Sequence, residues 1–152
     1  MELAKFKNGG VIDLDYAHEV IKKNKKEIEV YGKKKMVLFS VEPQGGRRTP
    51  PEYLTTSKLR NLLTMVNNLY TQVYNDPSAT LSENVRDELS YLKVKFAYEA
   101  GRNASVRSFI EKTKVSQLVD HVLKHNTKKY FLDYCKYFEA LVAYAKFYKM
   151  ED

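Results

Sequence analysis

From Thr55 onward the apolar positions recur every three and four residues, beginning with Leu59, Leu62, Leu63, Val66, Leu69, Tyr70 and Val73. That spacing predicts an amphipathic helix with one buried stripe. Thr55, Thr56 or Ser57 can cap its start, and Asn75-Asp76-Pro77-Ser78 stops it because proline disfavours helical geometry at and before its own position. Thr80-Leu81-Ser82-Glu83 has the form of a capping box, opening a second stripe of Val85, Leu89, Leu92 and Phe96 that runs to a bend near Gly101. Val106, Phe109 and Ile110 are followed out of phase by Val115, Leu118, Val119 and Val122, so the chain here makes two short helices or one kinked near Thr113. Thr127 can cap a last helix running to about Lys149, with Phe131, Tyr134, Cys135, Phe138, Leu141, Val142, Ala145 and Tyr148 inward.

The first third is less regular. Gly9 and Gly10 separate a short tip from a helix with Leu14, Ala17, Val20, Ile21 and Ile28 near one face and Lys22-Lys23-Asn24-Lys25-Lys26 largely toward solvent. From Tyr31 to Glu52 the helical pattern fails: Met36-Val37-Leu38-Phe39-Ser40-Val41 reads as a brief extended piece, and Pro43 to Pro51 as a linker. The expected fold is therefore all-α, a compact bundle of five to six helices with an irregular segment around residues 31–52. Residues 1–52 form an N-terminal helix and variable basic linker within the same domain as a helical core at 53–152.

Length and charge bear on partners. With 152 residues, 43% of them apolar, the chain can build one sizeable core. Twenty-six Lys and Arg against 19 Asp and Glu give a net charge of +7, favouring a polyanionic partner: RNA, DNA or an anionic membrane surface. The excess is spread along the chain, with 11 basic and 8 acidic residues in 1–52 and 15 and 11 in 53–152. Apolar runs are short and Met1-Glu2-Leu3-Ala4-Lys5-Phe6-Lys7 carries no signal-peptide core, so a soluble cytoplasmic protein that is not exported and does not span a membrane is expected. Cys135, the single cysteine, has no internal disulfide partner and reads as a small core residue.

Candidate chemistry lies on the polar faces. Ser57, Arg60, Asn61, Thr64, Asn67 and Asn68 fall opposite the first stripe, where amides and hydroxyls beside a cation suit phosphate and ribose; an ordinary solvated face has the same pattern. Lys95 and Arg102 share a helix face, with Lys93, Arg107, Lys112 and Lys114 nearby among Asp87, Glu88, Glu99 and Glu111. In the last segment Lys124, Lys128, Lys129, Lys136, Lys146 and Lys149 are interleaved with Tyr130, Tyr137 and Tyr144, which either stack bases or build the core. Arg47 and Arg48, between Gly45-Gly46 and Pro50-Pro51, form a basic clip or a plain linker. His121 and His125 lie one turn apart beside Asp120, yet no third ligand accompanies them and no metal site is assigned. A P-loop, a GxSxG elbow, CxxC pairs and suitably paired carboxylates are all missing from the sequence, so neither catalysis nor a cofactor is expected.

Three segments together carry a family resemblance. Leu54-Thr55-Thr56-Ser57-Lys58-Leu59-Arg60-Asn61-Leu62-Leu63, Lys95-Phe96-Ala97-Tyr98-Glu99-Ala100-Gly101-Arg102 and Tyr137-Phe138-Glu139-Ala140-Leu141-Val142-Ala143-Tyr144 resemble the small subunit of type III-A CRISPR effector complexes, in order and spacing, over about residues 53–149. The resemblance implies a non-catalytic helical protein, several copies of which stack as an inner filament beside the backbone subunits, with the large subunit also a partner. Its basic groove would run along the guide RNA and target RNA duplex, contacting the backbone while base pairing supplies specificity. Carried over to this sequence, Arg60 and Arg102 are the first expected phosphate contacts, followed by Lys58, Lys95, Arg107, Lys128 and Lys129. The alternative from the residues alone is a helical scaffold whose partners are only proteins.

Overall fold

The computed structural model describes residues 14–42 and 51–148. The Gly9-Gly10 tip, Arg47, Arg48 and most of their linker, and Lys149 lie outside the described residues. Six helices are present among those described: α1 (Leu14–Lys23), α2 (Thr56–Asn75), α3 (Glu83–Arg102), α4 (Ala104–Thr113), α5 (Val115–His125) and α6 (Lys128–Phe147). Between α1 and α2 lies a small antiparallel sheet in the order β1 (Lys25–Val30), β2 (Lys33–Val41), β3 (Glu52–Leu54).

The sheet corrects the all-α expectation. Part of the segment expected to be irregular is a regular hairpin, with Val30 opposite Lys33 across a two-residue turn at Tyr31-Gly32. Both turn residues have positive φ, 50° and 81°, as the tight hairpin turn that matches strand twist requires. Ile28 therefore sits on β1 and not on the first helix, which ends at Lys23. Phe39 has a positive φ of 52° where the β2–β3 register shifts. Its amide donates to the Asn24 carbonyl at 2.9 Å and its ring meets Phe109 edge-on at 5.3 Å, contacts that offset an unfavourable backbone conformation.

The helix limits follow local chemistry. Thr55 Oγ1 accepts from the Lys58 amide at 3.1 Å, and Thr127 Oγ1 accepts from the Tyr130 amide at 3.2 Å, fixing the starts of α2 and α6. The cap of α3 is Ser82, not Thr80. Leu81 is buried and its amide donates to the Asn126 carbonyl at 3.3 Å, which holds the preceding residues extended. The phase slip near Thr113 resolves as two helices, α4 and α5, separated by Lys114 in the left-handed region with φ 66°.

The last helix organises the core, packing against α1, α2 and α5. Phe39, Phe109, Phe138 and Phe96 form a continuous line of rings from the sheet into the bundle. Tyr134 and Tyr137 are fully buried and their hydroxyls donate to the carbonyls of Val115 at 2.8 Å and Thr113 at 2.6 Å, satisfying the polar backbone of the α4–α5 corner. Cys135 is also buried; burial, with Glu139 adding, pushes its thiol well above the ordinary cysteine range. None of the described helices is long and apolar enough to cross a membrane.

Candidate nucleic-acid interface

The polar face expected on α2 is present: Ser57, Arg60, Asn61, Thr64, Asn67 and Asn68 are all exposed. Its apolar stripe is buried at Leu59, Leu62, Val66, Leu69 and Val73. Arg60 makes no ion pair among the described residues, and it shares a shallow groove between α2 and α6 with Thr56, Val142 and Lys146.

The seven candidate cations do not converge on one point. Glu52 accepts from both Lys58 Nζ at 3.3 Å and the Ala104 amide at 3.0 Å, which brings the start of α2 to the α3–α4 junction. Arg60 and Arg102, each two residues from a Glu52 partner, consequently occupy the same end of the molecule, as does Arg107. Lys128 lies at the other end of α2, where its ammonium donates to the carbonyls of Tyr74 at 3.0 Å and Asp76 at 2.7 Å. At 1.5 Å per residue, the 20 residues of α2 set these ends about 30 Å apart. Lys95 falls between them, in a groove lined by Asn68 and Gln72 of α2 and Glu88 and Tyr91 of α3. Such a row suits a strand lying along the long helices better than a compact anion in a pocket.

Availability differs among them. Arg60, Lys95 and Lys129 are exposed and make no ion pair among the described residues. Arg102 is exposed but lies 3.5 Å from the largely buried Glu99, and Arg107 pairs with Glu111 at 3.0 Å in a solvated contact weak enough to exchange for phosphate. Lys58 and Lys128 are half-buried and engaged in structural bonds, so their first role is to hold chain segments together.

The tyrosines redistribute. Tyr137 is buried, Tyr144 stacks on His18 with centroids 4.3 Å apart, and Tyr130 stacks on His125 at 4.0 Å. The exposed aromatics among the described residues are instead Tyr31, Tyr74, Tyr91, Tyr98 and Phe147, with Tyr91 and Tyr98 on α3. Lys95 lies over the Tyr91 ring at 5.3 Å from its centroid, and Arg102 over Tyr98 at 5.4 Å. Tyr91 and Tyr98 were legible as residues off the Val85-Leu89-Leu92-Phe96 stripe, seven apart and hence on one face. Alternating rings and cations along α3 offer both stacking platforms and phosphate partners. Among the described residues, no three His, Cys, Asp or Glu side chains converge to hold a metal ion.

Comparison with known proteins completes the picture. The family model described as Csm2 Type III-A matches residues 33–151. A protein of Enterococcus italicus named "CRISPR system Cms protein Csm2" is 60% identical over 152 residues, covering all of both chains. A protein of the same name from Streptococcus thermophilus is 38% identical over 99 residues, 65% of this chain and 76% of the relative. One from Mycobacterium tuberculosis is 30% identical over 99 residues, 65% of this chain and 78% of the relative.

Proposed function

Because the chain belongs to the Csm2 family, the small subunit of type III-A CRISPR complexes, we propose that it is a non-catalytic RNA-binding and assembly subunit. Copies stack side by side, and the outer faces of α2 and α3 follow the guide–target duplex, holding its backbone without reading sequence. The observation that carries this reading is the row of exposed cations and tyrosines spread along α2 and α3, Arg60, Tyr91, Lys95, Tyr98 and Arg102. A row of this kind gives little affinity per copy and gains it by repetition along a filament.

The test is a titration of the full chain with labelled single-stranded RNA over a range of salt concentrations. Alanine at Arg60 or Arg102 is expected to weaken binding and to flatten the plot of log affinity against log salt by about 0.7 per lost phosphate contact. Unaltered affinity and slope in both variants would remove these residues from the interface.

Gly101 bears on assembly. It is exposed near the end of α3, has no positive φ, and a Cβ built on it meets nothing within 4 Å. Nothing among the described residues therefore requires glycine there, and glycine costs a helix more conformational entropy than alanine does. Gly101→Ala is expected to stabilise the free chain by about 0.5 kcal/mol in a denaturant titration. If a neighbouring subunit or strand approaches that backbone closely, the same variant assembles less well despite its added stability.

A further inference from the structure

At the far end of the row, the Pro77-Ser78-Ala79 turn and the first two turns of α6 enclose an open cavity of about 710 Å³. Its mouth is cationic. Lys129 and Lys136 line it, and neither makes an ion pair or hydrogen bond with a side chain among the described residues. The first turn of α6 carries no acid and places two lysines at the positive end of the helix dipole, an unfavourable arrangement that a bound anion relieves. The Lys128 amide is taken by the Ala79 carbonyl at 2.9 Å and the Tyr130 amide by Thr127 Oγ1, and the Lys129 amide between them has no acceptor among the described residues.

The walls have a different chemistry. Pro77, Ala79, Tyr130 and Leu132 make them largely apolar. Asp133 also lines the cavity, is only 6% exposed, and its Oδ2 accepts no hydrogen bond among the described residues. Burial pushes its carboxyl up, with Lys136 and then Lys129 opposing the shift. An ionised carboxylate is thus less well solvated here than in the unfolded chain, and native proteins seldom leave such an acceptor unpaired.

An anion fits the mouth, a flat apolar group the walls, and an N–H donor the partnerless carboxylate once Asp133 turns its shielded Oδ2 into the cavity. An acidic peptide would satisfy the first feature and could offer Asp133 a backbone amide, but brings no flat group for the walls, and a basic one would be repelled at the mouth. We propose that this cavity takes one unpaired nucleotide, with its phosphate at the start of α6 between Lys129 and Lys136, its base against Tyr130 and Pro77, and a base amino group donating to Asp133. The site rests on the RNA-binding reading above and adds to it a local preference for bases that carry an exocyclic amine, at a position where the strand is not paired.

Cytosine and uracil share ring size and differ at one edge, so oligocytidylate and oligouridylate of equal length are the probes, bound to the full chain and read by fluorescence anisotropy. The parent is expected to favour oligocytidylate roughly tenfold, the scale of one hydrogen bond to a charged group. Asp133→Leu removes that preference without weakening oligouridylate binding, whereas Lys129→Ala weakens both alike. Asp133→Leu also raises the unfolding midpoint at neutral pH. The sign follows from the raised carboxyl: its ionised form costs folding above the folded-state pKa, so its removal stabilises there. Should leucine disturb the fold, Asp133→Asn keeps the shape with a weaker neutral acceptor and narrows the preference. Cytidine and uridine monophosphates in a thermal-shift assay separate the two sources: a shift with the mononucleotide assigns the cavity to free nucleotides, and a response to oligomers alone assigns it to a strand. RNA binding without a cytidine preference, or a preference that survives Asp133→Leu, overturns the site and leaves the RNA-binding reading intact. If neither oligomer binds, both readings fall.

Discussion

Phe109→Ala is expected to bring the protein close to unfolding at room temperature, with a loss of about 3–5 kcal/mol. Phe109 is fully buried on α4 and is the ring through which the sheet meets the bundle, edge-on to Phe39 at 5.3 Å and to Phe138 at 6.1 Å. Truncation opens a cavity between two layers and removes both ring contacts. It also withdraws the partner that keeps Phe39 in its positive-φ conformation. Domains of this size have a total stability of only about 5–15 kcal/mol, so the variant should show a much lower urea midpoint at similar slope. Phe109→Leu retains most of the volume and is expected to lose considerably less. Equal midpoints for parent and Phe109→Ala would mean that the sheet and the helices do not share one core.

Glu52→Ala is expected to cost about 2 kcal/mol, a large effect for a residue that is not buried. Helix α4 has no cap from its own N-cap residue, Asn103. Glu52 supplies it from β3, more than fifty residues away in sequence: Oε2 accepts from the Ala104 amide at 3.0 Å and Oε1 from Ser105 Oγ at 3.2 Å. Ser105 is fully buried, so losing the carboxylate leaves its hydroxyl without that acceptor. The same carboxylate holds Lys58, tying β3, α2 and α4 together. Glu52→Gln retains an acceptor oxygen and should lie between parent and alanine in thermal unfolding. A loss no larger than that of an ordinary exposed glutamate would show that α4 is capped by other means.

Where contacts are local, the sequence carries the fold. The stripes of α2 and α3, the stop at Asn75-Asp76-Pro77, the Thr55 and Thr127 caps and the break near Thr113 depend on residues a few positions apart, and each appears where spacing and capping chemistry place it. The hairpin escaped because β1, Lys-Lys-Glu-Ile-Glu-Val, is too short and too charged to alternate clearly, and Ile28 continued the phase of the preceding helix. Tyr31-Gly32 at its turn is not an Asn-Gly or Asp-Gly pair either. Only pairing with β2 reveals the strand. The candidate interface divides in the same way. Arg60 and the polar face of α2 were readable from periodicity, whereas the engagement of Lys58 with Glu52 and of Lys128 with the end of α2 depends on distant backbone. Tyr137 takes the core alternative, while Tyr91, to which the sequence assigned no role, lies on the outer face, because flanking lysines do not tell which tyrosine has a partner carbonyl waiting in the core.

Cys135 gives the molecule a built-in clock. Its thiol sits inside α6 with little thiolate and 3% exposure, so an alkylating reagent reaches it only while that helix is displaced. Modification therefore proceeds at a pace set by how often the centre of the bundle opens, a quantity that denaturant curves approach only by extrapolation. As the single sulfhydryl in the chain, it reports this opening without introduced labels. Inside a larger particle, any neighbour that clamps α6 would slow the same chemistry, so this one buried residue can register how tightly the subunit is held.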